Sequence, residues 1–544
     1  MPIMLPNLLV SLLFSVAVAV LYMFRKAYRS RKIIADLRRQ RMPMPPFSWV
    51  AGHMLAASPF LEKLPPDAVF NYSVAELARA HPEEKMFYLD FWPINDPFLI
   101  VLDPQAATEL IKSPTAPKPT SVAAALHCLT GGPNLFTMPD DQWKFWRSVF
   151  NPAFSPMQML AQVPALLSTA QIFRGILRKN AESGGLFCLE EATFRLTLDI
   201  IGLVILDTSF DYQLSGSEFP TRLRSLVEWT SFGAEVNPFR RWNPVRPLMC
   251  WYQGRYVDKF IREELKKAMS RRRSEKINKQ ESVASMAFDR YQDKLDKAPS
   301  PSTNSTFLQY GAAQMRLFLI AGHDTTSSTM AYAFHLLYTH PAALARLRAE
   351  HDQVFGPDPA AASTLLATNP SLLNQLPFTA AAIKETLRLF PPGSGIRKGS
   401  RDMVLTSSTT GRRFPTENCS VWVVHSAMHR DAGAWRRPDE FVPERWLAEP
   451  GDALYPPAGA WWRPFETGPR ACLGQTLAMV ELKLALVVTA REFDMRPAYD
   501  EWYERHPRTG VKDVHGEQAY QVDGGGGGAH TACQYPCRVS KRNQ

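Results

Sequence analysis

The sequence predicts a mainly helical fold with small β-sheets, one large domain behind a single N-terminal transmembrane helix. Three observations predict it. Helical periodicity dominates from Asp140 to about Lys279. An almost uninterrupted apolar pattern from Phe307 to Tyr338 predicts one very long helix, buried because it is apolar on most faces. Extended runs are few and short, such as Phe98–Leu102 and Val421–Val424.

The N-terminus comes first. Leu5–Phe24 is uncharged and largely apolar, and at about 1.5 Å per residue about twenty residues span a bilayer core. Arg25, Lys26, Arg29, Arg31 and Lys32 follow it, while no Lys or Arg precedes it, which places the remainder on the cytosolic side of the endoplasmic reticulum membrane. A cleaved signal peptide is the competing reading, since Ala17-Val18-Ala19 matches a cleavage pattern. The missing basic region before the apolar core, and the continuation of that core to Phe24, favour an uncleaved anchor. In that orientation the sequons at Asn71, Asn304 and Asn418 stay unglycosylated. Arg41–Pro46 carries three prolines and reads as a semi-rigid spacer. The expected organisation is an anchor over 1–26, a basic, proline-rich linker over 27–46 and the large domain over 47–544.

Within the domain, 47–110 reads as helix plus short strands, and 114–140, rich in Pro, Gly and small residues, as a loop. Asp140–Phe150 reads as a helix opening on acidic residues, as the helix dipole favours. Residues 270–306, charged and then rich in Ser, Pro and Thr, read as a surface loop, and Gly524–Gly528 as a glycine loop. The net charge of +10 gathers after the apolar run and around Arg271–Lys279, a solvated or membrane-flanking pattern that excludes a nucleic-acid binder. Seven scattered cysteines form no disulfide framework and suit a reducing compartment.

The segment Phe465-Glu-Thr-Gly468-Pro-Arg470-Ala-Cys472-Leu-Gly474 carries the chemistry. Gly468 and Gly474 permit tight turns and close approach to a flat cofactor. Cys472 precedes a strong helical run, Gln475–Leu486, whose positive end favours a thiolate. Phe465 can shield the sulfur, and Arg470 can neutralise an acidic group on a cofactor rim. A buried core cysteine is the plainer reading of any single Cys, but it does not account for the matched positions around this one.

This segment resembles the haem-binding loop of the cytochrome P450 family, F-x-x-G-x-R-x-C-x-G, and the resemblance runs from about residue 40 to about 500. It implies haem b with Cys472 as the axial iron ligand, whose electron donation favours O–O cleavage. Ala321-Gly-His-Asp324-Thr325-Thr is similar to the family's oxygen-activation motif. By resemblance Thr325 and Asp324 deliver protons, and the glycine lets the helix open near the oxygen; the plainer alternative is a locally satisfied polar patch. Glu385-Thr-Leu-Arg388 looks like E-x-x-R, and Arg445 in Pro443-Glu-Arg-Trp446 would complete a buried structural triad with it. Trp143 and Arg147 match W-x-x-x-R; with Arg397 and Arg470 they would hold the haem propionates.

Two clusters are weighed as decoys. His425 and His429 have zinc-helix spacing but lack the intervening Glu. His530, Cys533 and Cys537 lack a fourth ligand in view and read as a terminal hairpin with free cysteines.

The resemblance implies a monooxygenase that uses O2 and NADPH-derived electrons. No flavin or dinucleotide fingerprint follows the motifs, so a separate NADPH-cytochrome P450 reductase is the implied partner. The pocket lining it implies, including Ala321 and Leu126, is small or apolar and points to a lipophilic small-molecule substrate. The phrasing near Gly131, Arg147 and Arg463 looks most like filamentous-fungal members, many serving polyketide or terpenoid biosynthesis. The alternatives are a desaturase or ring-closing oxidase of the same fold, a peroxide isomerase or dehydratase of that fold, and a non-enzymatic membrane haem protein.

Overall fold

A helix of 36 residues, Asn304–Thr339, runs through the middle of the computed structural model, and most of its side chains are buried. The structure describes residues 4–80, 85–92, 95–112, 116–232, 243–274, 281–296, 304–524 and 528–542, with main chain alone at 4–9, 12, 19 and 271–274. The central helix packs most extensively on Leu189–Leu206 and also meets Arg246–Ser274, Pro377–Leu389 and Gln475–Thr489. These elements share one large apolar core. Close approach to Leu189–Leu206 is sterically specified: a Cβ on Gly322 would sit 2.6 Å from Ile201 Cδ1. Gly322 therefore serves helix packing here.

A second, smaller core surrounds a four-stranded sheet in the order Met86–Leu89, Phe98–Val101, Ser420–Val423, Gly395–Lys398. The middle pair is parallel, with Phe98 opposite Ser420 and Val101 opposite Val423. Phe98–Val101 is a continuous apolar run because the strand is buried on both faces. Three further small sheets complete the β-structure. Two join distant parts of the chain or close the terminal hairpin: Phe187–Cys188, Pro536–Lys541 and Phe493–Pro497 form one, and Gln521–Asp523 pairs with Ala529–Thr531.

Three segments differ from expectation. Residues 114–140 contain a helix, Thr120–Thr130, ended by Gly131 in the left-handed region (φ 73°). Residues 270–306 contain the helix Val283–Leu295, capped by the Ser282 side chain accepting from the Ser285 N–H. The linker expected over 27–46 is helical as far as Arg39, as part of Met4–Arg39. Among the described residues no helix is long and apolar enough to cross a membrane; some of the Leu5–Phe24 side chains lie outside the described residues.

The last turns of Met4–Arg39 are docked on the small sheet. Arg31 is buried against the Asp90 carboxylate and donates from Nε to the Trp49 carbonyl and from Nη2 to the Val50 carbonyl, both at 2.9 Å. Ser30 donates to Asp90 at 3.0 Å. Gly52, at φ 63°, lies where a Cβ would strike the Asp90 carbonyl at 2.5 Å. Arg31→Met leaves Asp90 charged and buried, so chemical denaturation of this variant should show a loss of about 3–5 kcal/mol. Lys26→Ala, removing a pair in which both partners are over half exposed, should change stability by less than about 1 kcal/mol.

Candidate active site

Cys472 sits at the end of a turn that its own backbone ties down. Its N–H donates to the Phe465 carbonyl at 2.8 Å, and the Ala471 N–H donates to the Gly468 carbonyl at 3.1 Å. Gly468 has φ 74° and lies against Ile111, a conformation that favours glycine. The helix Gln475–Thr489 starts directly after Gly474. The Cys472 side chain is open to solvent, yet the protein packed around it pushes the thiol up, while the amides of Gly474 and Gln475 and the Arg147 charge oppose that rise and favour the thiolate. Phe465 packs beside Trp462, ring centroids 6.3 Å apart.

Four cations surround this turn. Arg147 Nη2 donates to the Ala471 carbonyl at 3.0 Å, while its buried Nε has no hydrogen-bond partner. Arg470 pairs with Asp140 at 2.7 Å and donates to the Met138 carbonyl. The Trp143 ring lies under both guanidiniums, 4.7 Å from that of Arg470 and 5.9 Å from that of Arg147. Arg397 donates to the Ile396 carbonyl at 2.9 Å. Lys118, just before Thr120–Thr130, is the fourth, a residue that sequence motifs did not single out. Burial holds its ammonium well below the ordinary range, and the charges of Arg397 and Arg470 act the same way. Burial likewise lowers Arg147 and Arg397. Of the two nearby carboxylates, Asp140 is taken by Arg470, and Glu466 is taken by His425 and Arg463. A thiol at a helix start beside a surplus of half-buried cations fits a flat cofactor with two acid groups and an iron that accepts sulfur.

The turn is held from behind by a buried polar chain. The Glu385 carboxylate is fully buried between Arg388 and Arg445, at 2.9 and 3.0 Å, and also accepts from the Val442 N–H and the Trp446 indole. Arg388 donates to the His429 carbonyl; His429 Nε2 accepts from the Arg463 N–H at 3.0 Å. Arg463 then pairs with Glu466, inside the cysteine loop, and Glu466 meets His425 at 2.9 Å. His425 and His429 are thus members of this chain. Burial raises the Glu466 carboxyl, but the His425 hydrogen bond and Arg463 outweigh it and hold it at about 2.

On the central helix, Ala321 is exposed and Thr325, one turn on, is half-buried, in a stretch otherwise largely buried. The Thr325 hydroxyl donates to the Ala321 carbonyl at 2.9 Å. Leu126 is buried in Thr120–Thr130, which packs on the same helix. Asp324, the residue before Thr325, pairs with His530 of the terminal hairpin at 3.0 Å and lines a cavity with it. Burial raises the Asp324 carboxyl, and the hydrogen bond and charge of His530 reverse this and lower it. Cys533 lies 3.8 Å from the Tyr503 hydroxyl and Cys537 is buried, both as free thiols, so His530 is drawn to carboxylates rather than to the two cysteines.

These features define a cysteine-bearing loop and a polar notch in a buried helix, the site of a haem-thiolate protein. Residues 45–511 match the family model described as cytochrome P450. The chain is 38% identical to cytochrome P450 monooxygenase polC of Polytolypa hystricis, over 98% of this chain and 95% of that protein. It is 32% identical to cytochrome P450 monooxygenase acrF of Aspergillus aculeatus, over 85% of this chain and 95% of that protein. Among solved structures, the cytochrome P450DA haem domain superposes with a TM-score of 0.69 at 23% identity, covering 92% of this chain and 98% of that one. The chain belongs to the cytochrome P450 family. It is accordingly a monooxygenase with a haem held by a cysteine thiolate, using O2 and reductase-supplied electrons.

Glu385→Gln leaves two buried guanidiniums without their carboxylate, so haem incorporation, read from the reduced carbon monoxide spectrum per unit of protein, should collapse. The corresponding loss of stability is about 3–5 kcal/mol. Glu466 gives a pH test. Its lowered carboxyl stabilises the fold above the unfolded value of 4.5, and that stability is lost as pH falls toward about 2. The stability gap between wild type and Glu466→Gln, about 3 kcal/mol by linkage, should hold constant from pH 7 to about 5 and shrink below that in denaturation curves.

Proposed function

We propose that this monooxygenase inserts one oxygen atom into a lipophilic polyketide or terpenoid intermediate, with Cys472 as the iron ligand. The observation that carries the site assignment is the loop Phe465–Gly474, which presents Cys472 at a helix start beside Lys118, Arg147, Arg397 and Arg470. The small or apolar residues Ala321 and Leu126 support a lipophilic substrate. Fungal monooxygenases among the relatives support the biosynthetic setting.

Bound haem supplies oxygen activation at an iron made electron-rich by the thiolate. The chain's own residues do the rest. The amides at Gly474 and Gln475 and the charge of Arg147 would favour the thiolate that binds the iron. Lys118, Arg147, Arg397 and Arg470 meet the cofactor's acid groups, and Trp143 and Phe465 cover it. Thr325 would offer its hydroxyl to the bound oxygen, and Asp324, beside it on the helix, would supply protons to that side. The apolar walls keep other water out.

The same reading places the chain on the cytosolic face of the endoplasmic reticulum membrane, with NADPH-cytochrome P450 reductase as partner. It keeps residues 1–26 as anchor. Its support is the uncharged run to Phe24, where Leu13, Phe14, Leu21, Tyr22 and Phe24 are largely exposed, and the basic residues that follow. Exposed Trp49, Val50 and Leu55 lie just beyond the docked end of the same helix, and Leu248 and Trp251 are exposed near the start of Arg246–Ser274.

Microsomes carrying the chain and the reductase, offered lipophilic polyketides, terpenoids and fatty acids, should yield a product one oxygen heavier. It should depend on NADPH and vanish in Cys472→Ala. A product lighter by two hydrogens would replace insertion with desaturation or ring closure. Absence of a P450-type carbon monoxide spectrum in the wild type would overturn the role of Cys472.

A further inference from the structure

The motif that the oxygen-activating pair leaves unused is the C-terminal hairpin. His530 is bracketed by two carboxylates: Nε2 lies 3.0 Å from Asp324 Oδ1 and Nδ1 lies 2.7 Å from Glu190 Oε1. The three side chains come from the hairpin, the central helix and the first turn of Leu189–Leu206, and are 14%, 8% and 4% exposed. Glu190 is fixed by the N–H and hydroxyl of Thr531, the former at 2.9 Å. Asp324 accepts from the Gly528 N–H as well.

The glycines flanking the hairpin turn are shaped to this contact. A Cβ on Gly528 would lie 2.6 Å from Asp324 Oδ2, and one on Gly524 would lie 1.8 Å from His530 Cδ2. Neither neighbour can yield without breaking the imidazole–carboxylate contact, so the strand ends approach it only as glycine. Beside the three side chains lies a cavity of about 250 Å³, bounded also by Glu191, Arg224 and Glu228. Glu228 is 61% exposed, which puts one wall of this cavity at the protein surface.

We propose that His530 supplies protons to Asp324, making the C-terminal hairpin the inward proton route of the oxygen-activating pair. This rests on the role proposed above for Asp324 and Thr325. The Nε2 proton of the imidazolium passes to Asp324 Oδ1; the Thr325 hydroxyl donates to the Ala321 carbonyl, so Asp324 hands its proton on to the Thr325 side through water. The neutral ring regains a proton at Nε2 from bulk solvent through the cavity, while its Nδ1 proton stays hydrogen-bonded to Glu190. Protons alone move, and the charges of the triad return to their starting values.

The groups facing His530 are Asp324 and His323 of the central helix, Glu190 of Leu189–Leu206, and Tyr332, whose hydroxyl donates to the His530 carbonyl at 3.3 Å. Glu191, Arg224 and Glu228 line the same cavity, and Cys533 lies on the hairpin side of it. Burial lowers the imidazole, and the hydrogen bonds to Asp324 and Glu190 reverse this and raise it well above the ordinary range. The ring is therefore charged at neutral pH and loses its charge only as pH rises through that raised value. His530 is a positioning residue, acting on the chemistry through Asp324.

Two measurements on the full-length holoprotein test this. Exchange of the histidine C2 hydrogens, followed by mass spectrometry on the resting protein without turnover, reports the titration of His530 itself. It should lie well above that of an exposed histidine and fall back in Glu190→Gln. NADPH oxidation with the reductase, without added substrate, is then followed against pH for the wild type, His530→Gln and Asp324→Asn. His530→Gln should keep the carbon monoxide spectrum, slow oxidation about tenfold or more, and lose the alkaline limb that matches the His530 titration. Wild-type rate and pH profile in His530→Gln, with Asp324→Asn slow, would reduce His530 to a clamp on the hairpin and leave the Asp324–Thr325 pair standing. Wild-type rates in both variants would overturn both readings. A His530 titrating in the ordinary range would overturn the relay even where His530→Gln does not fold.

Discussion

The structure depends on one fully buried carboxylate. Glu385 stands between Arg388 and Arg445 and accepts a backbone N–H and an indole N–H besides. In a low-dielectric interior a charge is tolerated only when every lone pair is used. That requirement propagates: Arg388 binds the His429 carbonyl, His429 receives the Arg463 N–H, and Arg463 binds Glu466 in the cysteine loop. The pose of Cys472 is therefore set by a chain of polar contacts that begins on another helix.

The charge on the two sides of the site is arranged differently. Around the cysteine loop, cations outnumber free carboxylates, and burial lowers the basicity of Lys118, Arg147 and Arg397. Such a group is relieved by a dianionic cofactor, so haem binding and local stability are the same event in energetic terms. On the central helix the balance is opposite. There Asp324, with Glu190 of the neighbouring helix, encloses the imidazole of His530. One side is built to hold negative charge and the other to hold a charged imidazole.

Much of this was legible in the sequence. The helix Asn304–Thr339 was visible as an apolar run, and Asp140–Phe150 as a helix with an acidic start. Phe465, Gly468, Arg470 and Cys472 sit in one loop, where spacing along the chain is spacing in space. Composition misled where local polarity hid a tertiary partner. Thr120–Thr130 and Val283–Leu295 lie in Pro-, Ser- or charge-rich surroundings, yet each buries one face against the larger core. Gly322 was read through its motif, whereas Ile201 on the neighbouring helix is what its missing side chain accommodates.

The sequence by itself determined the helix-rich fold and the family, because each rests on residues within about ten positions or on a helical repeat. The tertiary structure decided the rest. It turned His530 from a doubtful metal ligand into the partner of Asp324, 206 residues away, and of Glu190, 340 residues away. It added Lys118 to the cation group and docked Arg31 onto Asp90 within a segment that reads as linker. Charge pairing across such separations leaves no periodicity in the chain; it exists only once burial removes water and makes an unpaired charge too costly to keep.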